Sequence, residues 1–482
     1  MLKGKYPWMF VGVLFLIACG VKWFYLAQQH YYVVLSDELF GAYNFAENYD
    51  VPLMLQRIFP PYCDCSLGSV RPFFTTLLYF LTLKGFGFQP QVMWVLGILV
   101  GSLLVPLYFL VIGAMINVEV ALASSLMLSW MSNYIGQSVA LSTILPGILF
   151  TVGALLAAVR YHQKGGVGYL LLAGGLVSMS VFCRYENAVL VPAFIGYEYL
   201  FDKGRPWLRK SVFGLLCAGS SLYILFCNYH KTGDPFHAIR QQNLTAFHCS
   251  PNPPILWSRA FEIVGGLLLK LWGPFVWGAA ITGMGLMIVR HKLKALWFFL
   301  GALSLPLFLI YKVKQGSLDY LENYFFLLAL VALPVGLECV RGLVSRAADR
   351  RGYGMIALGM IVLCSIYSFH RFHEQPPASQ AYYSGPIRVT EDLKNVPATA
   401  ALYIDDDLGR CGFECQTMLV YLRRNPIRYQ YYPGRTRPPE KEYYLLTKKN
   451  FLGKTAQGEG VKARDYRADG CDDLALYRMT RT

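Results

Sequence analysis

Charged residues are scarce in this chain. Only 15% of its 482 residues are Asp, Glu, Lys or Arg, whereas 55% are hydrophobic and the mean hydropathy is positive. Because soluble domains carry about 25% charged residues, this composition excludes an ordinary soluble globular protein. Apolar windows of about 18–25 residues recur along the chain, and each is long enough to cross a bilayer. The chain is therefore predicted to be a polytopic α-helical membrane protein.

The sequence also lacks the short motifs of several enzyme and binding classes. It contains no G-x-G-x-x-G or Walker sequence, no zinc-type spacing of Cys and His, and no aromatic and basic nucleic-acid module. Acidic residues are the minority, 29 against 44 Lys and Arg, which gives a net charge of +15. Membrane proteins collect basic residues in their cytoplasmic loops, so we expect no nucleic-acid partner.

About eleven membrane spans are predicted. The first, Trp8–Leu26, ends without a small-x-small cleavage site, so we interpret it as a retained anchor and not a signal peptide. Lys3 and Lys5 place its start in the cytoplasm. The further candidate spans are roughly residues 91–115, 118–135, 138–159, 168–183, 186–201, 210–228, 268–289, 294–311, 321–340 and 353–369.

The apolar segment Pro72–Phe88 leaves two topologies open, because it is short and contains Lys84. If it spans the membrane, the later basic clusters face outward; if it lies in the interface, they face the cytoplasm. The positive-inside rule therefore favours an interfacial helix and an extracytoplasmic C-terminus. The outer face then carries the loops 27–90 and 229–267, the tail from about residue 370, and short turns at Asn133–Gln137, Arg184–Asn187 and Lys312–Asp319.

The cysteines agree with this topology. Six lie in predicted spans, and the other six, all in predicted outer segments, are Cys63, Cys65, Cys249, Cys411, Cys415 and Cys471. An oxidising compartment permits disulfides among them, although the pairing stays open. A metal site at Cys63-Asp64-Cys65 is the alternative, but a partner pair at a recognisable spacing is missing from the sequence.

The tail beyond Gln375-Pro376-Pro377 changes composition and is predicted to fold as a small soluble α/β domain. We expect a transmembrane domain over residues 1–370, with its first outer loop at 27–90, and a second domain over 371–482. Within the second domain the pattern predicts a helix over 415–424 and strands over 400–404, 427–432, 442–446 and 474–477.

The first outer loop opens with two adjacent carboxylates, Asp37 and Glu38. Acidic groups at a membrane boundary cost desolvation energy, which indicates a function. The alternative is a solvated helix start, in which Ser36 is the N-cap and both acids face the positive end of the helix dipole.

The order of features resembles the GT-C membrane glycosyltransferases, in particular the branch that contains protein O-mannosyltransferases and the lipid A aminoarabinose transferase. The similarity covers roughly residues 8–370 in layout. The matching pieces are Ser36-Asp37-Glu38 with Tyr43 and Ala46, Arg71-Pro72-Phe73 leading to Lys84-Gly85-Phe86-Gly87, Cys183-Arg184-Tyr185-Glu186, and Thr232-Gly233-Asp234-Pro235-Phe236.

The resemblance implies transfer of a sugar from a polyprenyl-phosphate donor to a lipid, glycan or protein acceptor. The reaction would occur on the extracytoplasmic face of a membrane, and a bacterial inner membrane is expected. By match to the family's loop acid, Asp37 is the catalytic base, since the acceptor hydroxyl must lose a proton as it attacks the anomeric carbon. Glu38 would orient the acceptor or bind a divalent cation; no cofactor is otherwise expected.

Developing negative charge on the leaving lipid phosphate calls for cations. We expect Arg71, Arg184 and Lys312 to be these cations, with Lys314 and Arg240 in reserve; for each of them, simple snorkelling to the interface is the alternative. Further substrate-binding candidates, each with a structural alternative, are Tyr185 and Glu186 beside Arg184, Asp234 in a Gly-Asp-Pro turn, and Tyr324 in an aromatic belt.

Two departures from the family pattern affect the mechanism. Many relatives carry a second acid in the outer turn at Asn133–Gln137, where this chain has only Asn133, Tyr134 and Gln137 as polar candidates. Many also carry Arg-Tyr at the start of a late span, where this chain has Glu322-Asn323-Tyr324. The first departure argues against a two-acid or metal-dependent mechanism. The second predicts that Lys312 and Lys314 bind the phosphate in place of the late arginine.

Two other functions share some of these features. A transporter or flippase of lipid-linked glycans typically shows repeated halves or charges at mid-membrane, and we find no internal repeat in the sequence. An enzyme that polymerises or ligates lipid-linked glycans would use the same donor, but its usual large late outer loop is not obvious.

The interfacial placement of Pro72–Phe88 gives a direct test. A cysteine introduced by Lys84→Cys is expected to react with a membrane-impermeant thiol reagent before permeabilisation, because the residue would lie at the outer interface. Labelling that requires access from the cytoplasmic side would contradict the topology.

Overall fold

A computed structural model provides the structure of the protein. It describes residues 6–28, 42, 45–46, 49–58, 73–87, 90–139, 144–201, 206–237, 255–266, 310–311, 313–314, 330, 333–342, 350–374, 393, 396–397, 400–405, 429–432, 442–448, 459–465 and 474–480. The chain divides into two compact units. The first comprises Met1–Tyr25, Tyr49–Leu78 and Leu96–Phe369, and the second comprises Leu26–Asn48, Tyr79–Val95 and His370–Thr482.

Helices make up most of the described chain. They are α1 (Tyr6–Gln28), α2 (Val51–Ile58), α3 (Phe73–Phe86), α4 (Pro90–Met115), α5 (Val118–Trp130), α6 (Ser132–Val139), α7 (Ile144–Lys164), α8 (Val167–Cys183), a 3₁₀ helix (Tyr185–Leu190), α9 (Val191–Phe201), α10 (Trp207–Thr232) and α11 (Arg350–Glu374). Residues 257–266 and 333–342 are also helical.

Within the described residues, four helices are long and apolar enough to cross a membrane: Trp8–Gln28, Gln91–Met115, Ile144–Lys164 and Trp207–His230. Shorter apolar helices occur at Phe74–Phe86, Val118–Trp130, Val167–Cys183, Asn187–Gly196 and Gly354–Tyr367. The predicted span 268–289 and most of 294–311 lie outside the described residues, so the predicted count of eleven stays a prediction. The helix within Pro72–Phe88 is Phe73–Phe86; its 14 residues extend about 21 Å, less than the hydrocarbon core of about 30 Å.

The predicted boundary between the third and fourth spans is wrong. Residues 132–139, divided in the prediction between spans 118–135 and 138–159, form the separate short helix α6, and Asn133–Gln137 is helical where a turn was expected. Met131 has an extended backbone, with φ −66° and ψ 119°, and its N–H bonds to the carbonyl of Leu128 at 3.2 Å. This tightened last turn ends α5 within an apolar stretch where hydropathy alone gives no signal.

Two clusters of apolar side chains hold the first unit together. The larger draws on α1, α4, α5, α6, α7 and α11, with Leu14, Phe109 and Leu128 among its most buried members. The smaller joins α7, α8, α9 and α10 around Tyr161, Val181 and Cys217. The two clusters meet through α7, which therefore packs on both sides.

Polar contacts tie one end of this unit. Asn117 caps α5 by accepting the N–H of Val120 at 2.9 Å, and its Nδ2 donates to Glu338 Oε2 at 3.1 Å. Glu338 also receives two hydrogen bonds of 2.8 Å from Arg341. One asparagine thus joins the α4–α5 turn to the helix at 333–342, and the carboxylate it meets is already neutralised.

The second unit contains a five-stranded sheet of β1 (Ala401–Asp405), β2 (Tyr429–Tyr432), β3 (Glu442–Lys448), β4 (Glu459–Asp465) and β5 (Leu474–Thr480). The strand order is β2-β1-β3-β5-β4, with β1 parallel to β2 and β3 and the remaining pairs antiparallel. Four strands overlap the predicted ones. The fifth, β4, was missed because it is an edge strand rich in charge, and edge strands carry charge to prevent aggregation. The predicted helix 415–424 lies outside the described residues.

Among the described cysteines, Cys183, Cys217, Cys227 and Cys339 are buried free thiols and Cys19 is a half-buried one. Burial of the first four is what the spans predicted. The six cysteines of the predicted outer segments lie outside the described residues.

A buried lysine crosses the contact between α1, α4 and α6. Lys22 is fully buried, its Nζ lies 4.2 Å from the ring centroid of Tyr134, and it donates to the carbonyl of Ala18 at 3.4 Å. Tyr134 in turn donates its hydroxyl to the carbonyl of Gly101, and Ser138 donates to the carbonyl of Tyr134 at 2.7 Å. A Cβ at Gly101 would lie 2.7 Å from Ser138 Cβ and 3.0 Å from Lys22 Cε, so only glycine fits there.

Gly101→Ala is therefore expected to lower the free energy of unfolding by about 1–3 kcal/mol, the usual cost of overpacking. Thermal unfolding of the detergent-solubilised protein measures it. Gly20→Ala in α1 is the matched control, because its Cβ would meet nothing within 4 Å and alanine favours helix. Adding Ser138→Gly should restore part of the loss. Equal melting temperatures for Gly101→Ala and Gly20→Ala would contradict the packing argument.

Candidate functional site

The structure describes part of the predicted site. Arg184, Tyr185, Asp234 and Lys314 are described with their side chains, and Glu186 with its backbone alone. The predicted residues Asp37, Glu38, Arg71, Lys312 and Tyr324 lie outside the described residues. Of these candidates, Arg184 lies at the junction of two helices.

Arg184 stands where α8 changes into the 3₁₀ helix. It is the C-cap residue of α8 and the N-cap residue of the 3₁₀ helix, with an extended backbone at φ −158° and ψ 115°. Its N–H bonds to the carbonyls of Ser180 at 3.0 Å and Val181 at 3.1 Å. Its side chain is half-buried. An arginine at such a junction has a backbone held by hydrogen bonds, and its planar guanidinium suits the binding of a phosphate.

A buried polar network surrounds the end of α8. Ser180 donates to the carbonyl of Gly147 at 2.9 Å and lies 2.7 Å from the hydroxyl of Thr151, both in α7. Asn187, from the 3₁₀ helix, donates to Ser180 Oγ at 2.8 Å and to the carbonyl of Ser180 at 3.2 Å. The first turns of α7 and the last turn of α8 are thus joined by polar contacts inside an otherwise apolar cluster.

A second helix is tied to the same end of α8. Thr75, fully buried in α3, donates its hydroxyl to the carbonyl of Cys183 at 3.3 Å. The predicted motif Arg71-Pro72-Phe73 comes just before this residue, so α3 enters the structure beside Cys183-Arg184. This hydrogen bond ties α3 to the end of α8.

Asp234 has the contacts of a turn residue. Gly233 ends α10 in a left-handed conformation, with φ 73° and its N–H bonded to the carbonyl of Tyr229 at 2.8 Å. Asp234 Oδ1 then accepts the N–H of Phe236 at 3.0 Å, the pattern of an Asx turn. These bonds support the structural alternative for Asp234 at least as well as a role in binding.

Lys314 is held by another segment. Its carbonyl accepts the N–H of Ile255 at 3.0 Å, and its Nζ lies 5.8 Å from the ring centroid of Trp257. Trp257 and Phe261 are about half exposed on the helix at 257–266. Arg184, Asp234 and Lys314 thus make their contacts with three different segments of the chain.

Sequence reasoning missed two buried ionisable groups. Lys22 was counted within an apolar span, and Glu198, 4% exposed in α9, was not considered; its Oε2 lies 3.2 Å from His162 Nε2 at the end of α7. The signal was present, since an ionisable residue inside a membrane segment is a functional candidate by default. Both had been hidden by the averaging of hydropathy over a window.

Part of the chain that includes Arg184 matches a known family model. Residues 70–228, which include α3, Arg184 and the whole polar network, match the model of the dolichyl-phosphate-mannose-protein mannosyltransferase family. A search of curated proteins gave no match.

Solved structures extend the likeness to the whole chain. ArnT from Cupriavidus metallidurans in the apo state is similar with a TM-score of 0.58 and 11% sequence identity, over 98% of this chain and 97% of ArnT. The Archaeoglobus fulgidus oligosaccharyltransferase in the apo form gives a TM-score of 0.54 at 10% identity, over 93% of this chain and 70% of that chain. AglB from the same archaeon, in complex with an inhibitory peptide and a dolichol-phosphate, gives 0.50 at 12% identity, over 86% and 64%.

At these identities the structural likeness shows the fold, and the family model adds a sequence match at the segment that holds Arg184. The resemblance to the GT-C type membrane glycosyltransferases that the sequence predicted is therefore confirmed.

Proposed function

We propose that this protein transfers a sugar from a polyprenyl-phosphate-linked donor to an acceptor hydroxyl on the extracytoplasmic face of the membrane. The observation that carries the proposal is the placement of Arg184, held by a buried polar network at a helix junction inside the segment that matches the mannosyltransferase model. AglB, whose fold is similar, has been solved with a dolichol-phosphate, which supports a lipid phosphate as the carrier.

The proposed reaction is a displacement at the anomeric carbon. The acceptor oxygen forms a bond to that carbon while the bond from the carbon to the phosphate oxygen breaks, and the electron pair leaves with the polyprenyl phosphate. Asp37 takes the proton from the acceptor hydroxyl as general base. Glu38 orients the acceptor or holds a divalent cation. Both roles are what the resemblance implies for these two acids, which lie in the predicted first outer loop after the first span.

Cations are proposed to stabilise the charge that develops on the phosphate. Arg184 and Arg71 are the first candidates, because Thr75 ties the helix that follows Arg71 to the carbonyl of Cys183. Lys312 and Lys314 are the second pair, and the position of Lys314 near Trp257 also suits a lysine at the membrane interface. The remaining substrate-binding proposals are Tyr185, Glu186, Asp234 and Tyr324.

The proposed architecture has about eleven spans in residues 1–370 and an extracytoplasmic α/β domain in 371–482, in a bacterial inner membrane. The five-stranded mixed sheet supports the α/β assignment. The basic residues near 160–164 and 203–210 support the orientation: the predicted spans 168–183 and 186–201 lie between them, so two membrane passes bring both groups to the same face. The sugar is left unnamed, and the acceptor is a lipid, a glycan or a protein.

Asp37→Asn is expected to lower the rate of sugar transfer by about 100-fold or more, since it removes the base while keeping the shape of the side chain. The polyprenyl lipids that copurify with the full-length protein are first identified by mass spectrometry, and release of polyprenyl phosphate from that donor is then followed. Expression and membrane insertion should be unchanged. Transfer at the wild-type rate would refute the assignment of Asp37.

Arg184→Gln is expected to weaken the binding of polyprenyl monophosphate by about tenfold or more, the usual worth of a hydrogen bond to a charged group. Native mass spectrometry or a fluorescence titration of the purified full-length protein measures the Kd. Arg160→Gln is the control, because Arg160 lies near the opposite end of α7 and bonds to Gln163. If Arg184→Gln and Arg160→Gln change the Kd equally, Arg184 has no special part in binding the phosphate.

A further inference from the structure

We infer that Thr151, Ser180 and Asn187 are positioning residues for Arg184: their hydrogen bonds hold the helix junction in the conformation from which the arginine reaches the lipid phosphate. This inference rests on the proposed function. None of the three is proposed to touch substrate, and each acts through the backbone of Arg184.

A closed ring of hydrogen bonds surrounds the backbone of Arg184. On one side, the N–H of Arg184 bonds to the carbonyl of Ser180 at 3.0 Å; on the other, the carbonyl of Arg184 accepts the N–H of Asn187 at 3.0 Å. The side chain of Asn187 then returns to the same carbonyl of Ser180 at 3.2 Å. The N–H of Arg184 and the side-chain amide of Asn187 thus share one acceptor, the carbonyl of Ser180, and these bonds hold the extended conformation of Arg184 between the two helices.

The same ring is attached to α7 through Ser180. Ser180 Oγ receives Asn187 Nδ2 at 2.8 Å, lies 2.7 Å from Thr151 Oγ1, and bonds to the carbonyl of Gly147 at 2.9 Å. Thr151 bonds to the same carbonyl at 2.9 Å. Ser180, Asn187 and Thr151 are only 2%, 4% and 6% exposed, and hydrogen bonds strengthen in a medium of low dielectric constant.

Asn187 also packs closely against Gly147 of α7. A Cβ there would lie 2.8 Å from Asn187 Nδ2 and 3.6 Å from Cys183 Cβ. The amide of Asn187 therefore occupies the space that any other residue at position 147 would need. Since that amide cannot move without losing two hydrogen bonds to Ser180, a side chain at position 147 would disturb the network.

We expect the loss of these hydrogen bonds to change the position of Arg184 more than the packing of α7 against α8. The apolar side chains of α7 and α8, such as Ala154 and Val177, already hold the two helices together. Side chains that bond only within their own helix, such as Ser129 to the carbonyl of Ser125 at 2.9 Å, are the ordinary way to bury a hydroxyl in a membrane helix. Ser180 and Asn187 instead bridge three segments at the residue where α8 ends.

The test is a double-mutant cycle on the Kd of polyprenyl monophosphate, measured with the full-length protein. Asn187→Leu keeps the approximate volume of the side chain and removes both donors. In the wild-type background it is expected to raise the Kd by about tenfold, within the range of coupling between residues of one network. Thr151→Val is a milder, nearly isosteric variant with a smaller expected effect. Ser129→Ala, a buried serine outside the network, should leave the Kd unchanged.

In the Arg184→Gln background, Asn187→Leu is expected to change the Kd less than twofold, because both substitutions act on one contact. Equal losses in the two backgrounds would refute positioning and indicate a structural role. If Asn187→Leu fails to fold, the cycle is run with Thr151→Val, and the same comparison decides.

The outcomes separate this inference from the proposed function. If Arg184→Gln leaves the Kd unchanged, the proposed role of Arg184 fails, and the positioning inference fails with it. If Arg184→Gln weakens binding while Asn187→Leu and Thr151→Val do not, the proposed function stands and positioning alone is refuted.

Discussion

The hydrogen-bonding requirement of polar groups inside a membrane shapes the described part of this protein. A bilayer offers no water to an exposed donor or acceptor, so a polar group in a helix bundle is stabilised by a partner from the chain itself. Ser180 meets this requirement with bonds to Gly147, Thr151 and Asn187, which come from two neighbouring elements. As a result the end of α8, and Arg184 with it, has a defined place relative to α7 and the 3₁₀ helix.

The same requirement explains the burial of Lys22. An ammonium group inside a bundle is costly, and this one lies over the ring of Tyr134, whose hydroxyl is bonded to Gly101. The glycine provides room for both the lysine stem and Ser138. At both clusters a glycine without a Cβ allows a polar side chain from a neighbouring helix to reach a backbone carbonyl, which ties local sequence to tertiary packing.

Much of the helical layout followed from the sequence because hydropathy and charge are read along the chain. The predicted spans 91–115, 168–183 and 353–369 lie within or coincide closely with α4, α8 and α11. The strands of the tail were found from β-branched and aromatic runs, but β4, rich in charge, was not. The break at Met131 was also missed, because the residues on both sides are apolar and only the backbone conformation separates α5 from α6.

The sequence by itself determined the membrane class, most helix positions, the family resemblance and the selection of Arg184 as a candidate, since each depends on composition or on the order of motifs. Only the tertiary structure decided that Thr75, Ser180, Thr151 and Asn187 converge on the end of α8. Thr151 and Ser180 are 29 positions apart in the sequence, and Thr75 and Cys183 are 108 positions apart. No local sequence pattern distinguishes a serine or threonine that bonds to its own helix from one that bonds to another helix. That choice is made by helix packing, which brings two polar groups within reach of each other.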